Sequence, residues 1–108
     1  LRQTTLAYNM QRAAFALTAQ RASEENRSGT PGAATSIFKL VGARLQQNGA
    51  DLRRRIMGFR GLGVAGEFDE HELEATTEWL ATKATTIYGG SDEIQANIIA
   101  KRVLGLPD

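Results

Sequence analysis

Residues 86–108 read TIYGGSDEIQANIIAKRVLGLPD, which combines a double-glycine turn, a helix start, an apolar helix and a helix stop. Gly89 and Gly90 permit backbone angles that side chains disfavour, and they let a ligand approach the main chain closely. Ser91 follows as a candidate N-cap, and a glycine and a proline after the last apolar residues end the helix. The stretch therefore predicts a sharp corner followed by a helix over residues 91–104.

The charges at the two ends of this last helix have the signs that a helix dipole favours. Asp92 and Glu93 stand in its first turn, and Lys101 and Arg102 stand near its last. On these grounds alone the corner is either a tight turn that serves the fold or a place where backbone meets a ligand. The tight turn is the simpler interpretation.

Helical periodicity extends over the rest of the chain. It predicts four helices, over residues 2–25, 31–57, 69–85 and 91–104, and no strand pattern competes. Thr30 and Pro31 suit the cap and first position of the second helix, and Asp69 with Glu72 resembles a capping box at the start of the third. The expected fold is an all-α, four-helix up-down bundle that forms one domain over residues 1–108.

Several apolar faces are expected to be buried. In the first helix, one stripe consists of Leu6, Met10, Ala13 and Leu17, and the opposite stripe consists of Tyr8, Phe15, Ala19 and Ala22. A helix that is apolar on two sides is expected to be sandwiched between neighbours. The final helix is apolar around much of its circumference, so it is expected to lie in a core or against another subunit. Trp79 and Leu80 are the expected buried anchors of the third helix.

The last quarter of the chain also resembles a known family. The run IYGGSDEIQ at residues 87–95, continued by NIIA and RVLGLP, is similar to the C-terminal signature of acyl-CoA dehydrogenases, approximately I-Y-[EG]-G-[ST]-x-E-I-Q-R-N-I-I-A-x-R-x-L-G. A weaker similarity at residues 31–40, PGAATSIFKL, matches a segment that opens a long helix of the same domain. The resemblance implies the C-terminal helical bundle of a tetrameric FAD enzyme of fatty acid metabolism. Because Leu1 lies inside a helical pattern without a start methionine, a fragment of a larger protein is expected.

The family activity is α,β-dehydrogenation of an acyl-CoA thioester, in which a carboxylate takes the α-proton and FAD takes the β-hydrogen as hydride. In many members the base is a glutamate directly after the signature tyrosine, but this chain has Gly89 there. No catalytic residue is nominated, since no carboxylate here matches a family catalytic position; those considered are Glu24, Glu25, Glu67 and Glu72. Either the base lies upstream of Leu1, on an earlier helix, or the chain is a non-catalytic subunit that supports a partner in a hetero-oligomer. The otherwise intact corner favours an active enzyme.

The resemblance also implies roles for individual residues at the corner. Tyr88 and Gly90 would line the thioester end of the substrate, and Ser91, Asp92 and Glu93 would lie along the FAD. Two carboxylates at a helix start repel phosphate but accept hydrogen bonds from sugar hydroxyls, so a ribose or ribityl contact is expected there. The alternatives are dipole complementation for the two acidic residues and a core aromatic for Tyr88.

A second FAD contact is implied at residues 55–61, RIMGFRG, which match a Q-x-x-G-G-x-G segment of the family. In the family this segment meets the ADP half of FAD across a subunit boundary. Arg55 replaces the glutamine and can pair with a pyrophosphate, and Gly58 is retained. Phe59 replaces the second glycine and would obstruct close backbone approach, and Ala96 replaces an arginine near the corner. These departures suit assemblies whose paired subunits contribute unequal half-sites.

Composition excludes several other classes of function. The chain has 13 Lys and Arg residues and 12 Asp and Glu residues, so its charges nearly cancel. The basic run at residues 53–55 is interpreted as a solvated helix end rather than a nucleic-acid site. The lack of cysteine removes thiolate chemistry and is compatible with a cytoplasmic location, and a single histidine, His71, cannot form a histidine-based metal site. No apolar run is long enough to cross a bilayer. The expected partners are an acyl-CoA substrate, a flavin electron acceptor protein and the other subunits of a homo- or hetero-tetramer.

Overall fold

The computed structural model describes residues 1–27 and 34–107, and these ranges are helical throughout apart from short turns. The four main helices are α1 (Arg2–Arg27), α2 (Ala34–Met57), α3 (Glu70–Ala81) and α4 (Asp92–Ile98). Two 3-10 segments, Gly58–Leu62 and Thr82–Thr86, follow α2 and α3, and a π-helical turn, Ile99–Val103, continues α4. The all-α, four-helix prediction is confirmed, and the predicted Thr30–Pro31 helix start lies outside the described residues.

Helix α2 is the central element, since α1, α3, α4 and both 3-10 segments pack on it. The described chain measures 52 × 27 × 24 Å and has a radius of gyration of 17.1 Å. A compact domain of about 100 residues has a radius of gyration of about 13 Å. The bundle is therefore elongated, and much of its apolar surface is left uncovered by the chain itself.

One apolar stripe of α1 packs on α2 as expected. The rings of Phe15 and Phe38 meet edge to face with centroids 5.6 Å apart, and Ala22 is buried. Two glycines of α2 allow this approach, because a Cβ at Gly42 would lie 3.3 Å from Phe15 Cζ and one at Gly49 would clash with the Tyr8 hydroxyl. Close packing of a small-residue face against aromatic rings thus fixes α1 on α2.

The opposite stripe of α1 is exposed, so the prediction of a sandwiched helix is wrong within this chain. Leu6, Met10 and Leu17 are 55%, 72% and 67% exposed. The physical reason is that α2 covers only one face of α1. Helix α4 is similarly open at Ile94, as is Leu104 just after the π-helical turn, and coverage of this region by another subunit stays a prediction.

Helix α3 begins with the predicted capping box. The Asp69 carboxylate accepts from the Glu72 N–H at 2.9 Å, and the Glu72 carboxylate accepts from the Asp69 N–H at 2.9 Å. The buried Glu72 also pairs with Arg60 at 3.1 Å, which ties the helix start to the preceding 3-10 segment. Two reciprocal hydrogen bonds from backbone N–H groups to side-chain carboxylates, together with one ion pair, therefore define where α3 begins.

The predicted anchors of α3 are only partly correct. Trp79 is half-buried, with Arg54 stacked 3.8 Å and Lys83 4.4 Å from its ring centroid. Leu80 is 52% exposed, so its prediction as a buried anchor is wrong. The buried residues of α3 are instead small or polar and follow helical spacing, namely Glu72, Ala75 and Thr76.

The third helix also tightens earlier than predicted. The Thr82 hydroxyl donates to the Trp79 carbonyl at 2.8 Å, and the Thr85 hydroxyl donates to the Thr82 carbonyl at 2.6 Å. Such bonds between threonine side chains and nearby carbonyls compete with α-helical geometry. The α-helix therefore gives way at Thr82 to a 3-10 segment, which leads directly into the double-glycine corner.

Candidate functional site

The corner at residues 87–91 has the backbone conformation that its glycines predict. Gly89 and Gly90 have φ angles of +68° and +97°, in the region that residues with side chains avoid. A Cβ at Gly90 would lie 2.7 Å from Nε2 of Gln95, a buried amide that donates to the Gly89 carbonyl at 3.5 Å. The space beside Gly90 is thus occupied by Gln95, and only glycine fits there.

Helix α2 supports the segment that leads into the corner. Lys39 Nζ donates to the Thr85 carbonyl at 2.6 Å, and Gln47 Nε2 donates to the Thr82 carbonyl at 2.9 Å and to the Thr86 hydroxyl at 3.2 Å. The sequence interpretation did not nominate Lys39, Gln47 or Gln95. Helical spacing could have indicated Lys39 and Gln47, because they share a face of α2 with the buried Ala43 and Ala50.

Tyr88 is not a core aromatic, because it is 61% exposed. Among the described residues, the contact recorded for its ring is with Lys39, whose Nζ lies 5.8 Å from the ring centroid. The neighbouring Ile87 is 70% exposed. The corner therefore presents both backbone and an aromatic ring outward, while the polar residues that hold it lie behind.

Ser91 caps α4 as predicted, with its hydroxyl oxygen accepting from the Ile94 N–H at 3.4 Å. Its hydroxyl also hydrogen-bonds Glu93 and, together with the Glu93 backbone N–H, lowers the pKa of that carboxyl. One short side chain thus satisfies a free backbone donor and stabilises negative charge at the start of the helix.

A Ser91→Ala variant is expected to lose more stability at neutral pH than in acid. Because the folded-state pKa of Glu93 lies below its ordinary value of 4.5, its stabilising contribution is present above that value and is lost as the pH falls through the lowered pKa. Chemical denaturation at pH 7 and pH 3 measures the difference in the free energy of unfolding. In a Glu93→Gln background the Ser91→Ala difference should not change with pH, and a pH-dependent difference there would contradict this assignment.

Asp92 is the acidic residue of the corner with unused acceptor capacity. Its Oδ2 accepts from Arg44 Nε at 3.3 Å, while its Oδ1 is buried without a hydrogen-bond partner. The carboxylate as a whole is partly accessible, with 23% of the side chain exposed. A partly accessible carboxylate beside an exposed corner suits a ligand that carries hydroxyl donors.

Arg55 and Gly58 lie away from the corner, at the far end of α2. Arg55 is exposed, and Gly58 has a φ of +61° with no atom within 4 Å of a Cβ placed on it. At 1.5 Å per residue, Arg55 is about 16 Å along the helix from Arg44. Phe59 is 78% exposed and stands where the resemblance places a second glycine. The chain therefore brings Tyr88, Gly90, Ser91, Asp92 and Glu93 together at the corner but holds Arg55 and Gly58 in a separate patch.

The fold and the corner define a class: a helical bundle in which a glycine turn presents main chain ahead of the last helix. The chain belongs to the acyl-CoA dehydrogenase family, since the family described as "Acyl-CoA dehydrogenase, C-terminal domain" matches residues 2–104. No solved structure gives a significant match. In the parts of the chain that the structure describes, no helix has the length and apolarity needed to cross a membrane.

Relatives in mycobacteria carry the same family name. The chain is similar to acyl-CoA dehydrogenase IpdE1 of Mycobacterium tuberculosis, with 47% identity over 73 residues that cover 67% of this chain and 18% of that protein. IpdE1 of Mycolicibacterium smegmatis is 44% identical over the same shares of the two chains. Acyl-CoA dehydrogenase FadE34 of M. tuberculosis is 35% identical over 71% of this chain and 10% of that protein. The aligned part thus spans less than a fifth of each of these relatives.

Proposed function

We propose that this chain is part of an FAD-dependent acyl-CoA dehydrogenase that removes two hydrogens across the α,β carbons of an acyl-CoA thioester. In this proposal the chain forms one wall of the flavin site and contributes to the core of the oligomer. Family membership supports the enzyme class, and the names of the three relatives agree with it. The cofactor, the substrate and the assembly are inferred at the level of the family.

The observation that carries the proposal is the exposed double-glycine corner. Gly89 and Gly90 hold positive φ angles, the Gln95 amide fills the space beside Gly90, and Tyr88 projects into solvent. A glycine backbone with positive φ angles that is held on one side by polar side chains and open on the other can present main-chain groups to a ligand. A turn that served the fold alone would not need an exposed tyrosine at its centre.

The corner residues fit an FAD molecule. Asp92 offers a partly accessible carboxylate, and Ser91 and Glu93 stand beside it at the helix start, so these side chains would hold ribityl or ribose hydroxyls. Arg55 and Gly58, in their separate patch, would meet the pyrophosphate of a second FAD copy bound mainly by a neighbouring subunit. When bound, FAD supplies a two-electron acceptor for the hydride that leaves the substrate.

Tyr88 and Gly90 would orient the thioester end of the substrate at this corner. Positioning of this kind lowers the barrier to proton abstraction, because the base must lie in contact with a correctly held α-carbon. Gly89 has no side chain that can accept a proton, so the base of an active enzyme would come from residues outside this chain. The role proposed for the chain is therefore to bind and orient.

A non-catalytic subunit is the second candidate function. It is favoured by Gly89 at the position where the family often has its base, and by the exposed Phe59 in the second patch, where a glycine is expected. Such a subunit would keep the corner and the assembly surfaces and would support catalysis by a partner chain.

The partners proposed are an acyl-CoA substrate, a flavin electron acceptor protein and further subunits in a homo- or hetero-tetramer. The exposed stripe of Leu6, Met10 and Leu17 supports assembly, because apolar side chains of this size on one helix face are usually covered in a complex. A cytoplasmic location is part of the proposal and rests on the absence of cysteine.

The proposal is tested with the full-length protein in anaerobic titrations against a panel of acyl-CoA thioesters. We expect purified protein to bind FAD and its flavin absorbance to bleach with at least one of them, since hydride transfer reduces the flavin. Bound flavin that no acyl-CoA bleaches would favour the non-catalytic subunit. A protein that stays colourless and does not bind added FAD would overturn the proposed FAD-dependent enzyme.

A further inference from the structure

Lys39 of α2 contacts the segment that leads into the corner and the ring of Tyr88. Its Nζ donates to the Thr85 carbonyl at 2.6 Å, and the same atom lies 5.8 Å from the centroid of the Tyr88 ring. Its Cε lies 3.7 Å from where a Cβ of Gly89 would stand. One side chain thus links the central helix to the end of the 3-10 segment and to the exposed aromatic ring.

The group that makes these contacts is the Lys39 ammonium, which has no acidic partner among the described residues. Among the described residues, no carboxylate lies within ion-pair distance of Lys39, whereas Arg44 and Arg53 on the same helix both have one. Lys39 is half-buried, so its ammonium is partly removed from water. Under these conditions a hydrogen bond from a charged donor to a carbonyl is stronger than one between neutral groups. The attraction of this ammonium is therefore directed to the corner.

A pocket behind the corner leaves room for Tyr88 to move if its contact with Lys39 is lost. A small pocket of about 220 Å³ lies between α2 and the corner, and it is lined by Phe38, Lys39, Gly42, Ala43, Gln46, Thr85 and Tyr88. Two glycines in succession leave the backbone free to rotate. Without the ammonium, Tyr88 and the turn have both the freedom and the room to move inward.

We propose that Lys39 is a positioning residue, which fixes Thr85 and Tyr88 and so keeps the corner that follows in the outward conformation that binds ligand. It acts through the Thr85 carbonyl and the Tyr88 ring and does not itself touch the reacting atoms. The consequence for ligand binding rests on the proposed function, whereas the effect on the corner does not. The two are therefore tested separately.

Hydrogen exchange in full-length protein tests the effect on the corner without any ligand. In Lys39→Met, which keeps the length and removes the charge and the donor, backbone amides over residues 85–95 should exchange about tenfold faster or more. Peptides of α1 should not change, which shows that the variant is folded. The matched control is Lys83→Met, because Lys83 contacts Trp79 and not the corner, and this variant should match wild type.

Chemical rescue distinguishes the effect of the amine from the effect of a side chain that only fills the same space. Lys39→Cys alkylated with 2-bromoethylamine regains an amine at the length of lysine, whereas alkylation with iodoacetamide gives a neutral amide. This chain has no native cysteine, and wild-type protein treated in the same way controls for other cysteines in the full-length protein. We expect the aminoethylated protein to return to within about twofold of wild-type exchange, and the amide form, which keeps an N–H donor without the charge, to recover less. Equal exchange in wild type, Lys39→Met and both alkylated forms would overturn the proposal.

Steady-state kinetics test the consequence for function. A loosened corner misplaces the substrate, so kcat should fall at least about tenfold in Lys39→Met while KM changes less. A KM effect alone would instead assign Lys39 a direct role in binding and would overturn the positioning assignment. If wild-type protein has neither bound FAD nor turnover, the proposed function fails, and the exchange experiment still decides the role of Lys39.

Discussion

Gly90→Ala is expected to lower the affinity of the full-length protein for FAD by at least about tenfold, because it displaces the corner. At a φ of +97°, a side chain meets a backbone penalty of about 1–3 kcal/mol. The new Cβ would also stand 2.7 Å from Gln95 Nε2, so the amide must leave its place beside the Gly89 carbonyl. Titration of apoprotein with FAD, followed by flavin fluorescence, measures the loss.

Gly66→Ala is a matched control for the backbone penalty. Gly66 has nearly the same φ, +98°, but a Cβ placed there meets no atom within 4 Å. It should cost a similar backbone strain and leave the affinity for FAD unchanged. A double variant, Gly90→Ala with Gln95→Ala, removes the clash but not the strain and should recover part of the affinity. Wild-type affinity in Gly90→Ala would show that the flavin does not bind at this corner.

Gly61→Ala is expected to have the largest effect on stability, with a loss of roughly 3 kcal/mol in the free energy of unfolding. A Cβ at Gly61 would lie 2.5 Å from the Arg54 carbonyl oxygen and 3.0 Å from Arg54 Cα, and these are backbone atoms that cannot rotate away. The Gly61 carbonyl also accepts from the Thr76 hydroxyl at 3.2 Å, so movement of this segment disturbs its contact with α3. Denaturant unfolding measures the loss.

Gly58→Ala separates backbone strain from crowding in the same segment. Gly58 has a φ of +61° and open space around it, so alanine there should cost only about 1 kcal/mol. An equal loss in Gly58→Ala and Gly61→Ala would mean that crowding against Arg54 is not the cause. The pair also shows whether Gly58, a candidate FAD contact, can be altered without unfolding the chain.

The parts of the fold that sequence could predict are those with local signals. Asp69 with Glu72, Ser91, and the pair Gly89–Gly90 all act within a few residues along the chain, and the structure shows each as expected. The exposure of Leu6 could not be predicted in the same way. Periodicity shows that a helix face is apolar, but what covers that face depends on distant residues or on other chains.

The candidate site likewise contains residues that the sequence could identify and residues that it could not. Residues at the corner follow one another in sequence, so a motif could identify them. Lys39 and Gln47 hold the segment before the corner by donating to the carbonyls of Thr85 and Thr82, which are 46 and 35 residues further along the chain. A carbonyl acceptor is present in every residue, so nothing in the sequence marks Thr85 or Thr82 as the partner of a particular side chain.

The uncovered stripe of α1 has a consequence for the life of the protein in the cell. If partner chains cover this stripe, as proposed above, a copy that has not yet assembled carries Leu6, Met10 and Leu17 in water, which is the kind of surface that chaperones and proteases recognise. Abundance would then follow the supply of partner chains: copies made in excess are degraded, while assembled copies persist. Substitutions on this stripe would then act through assembly and protein turnover.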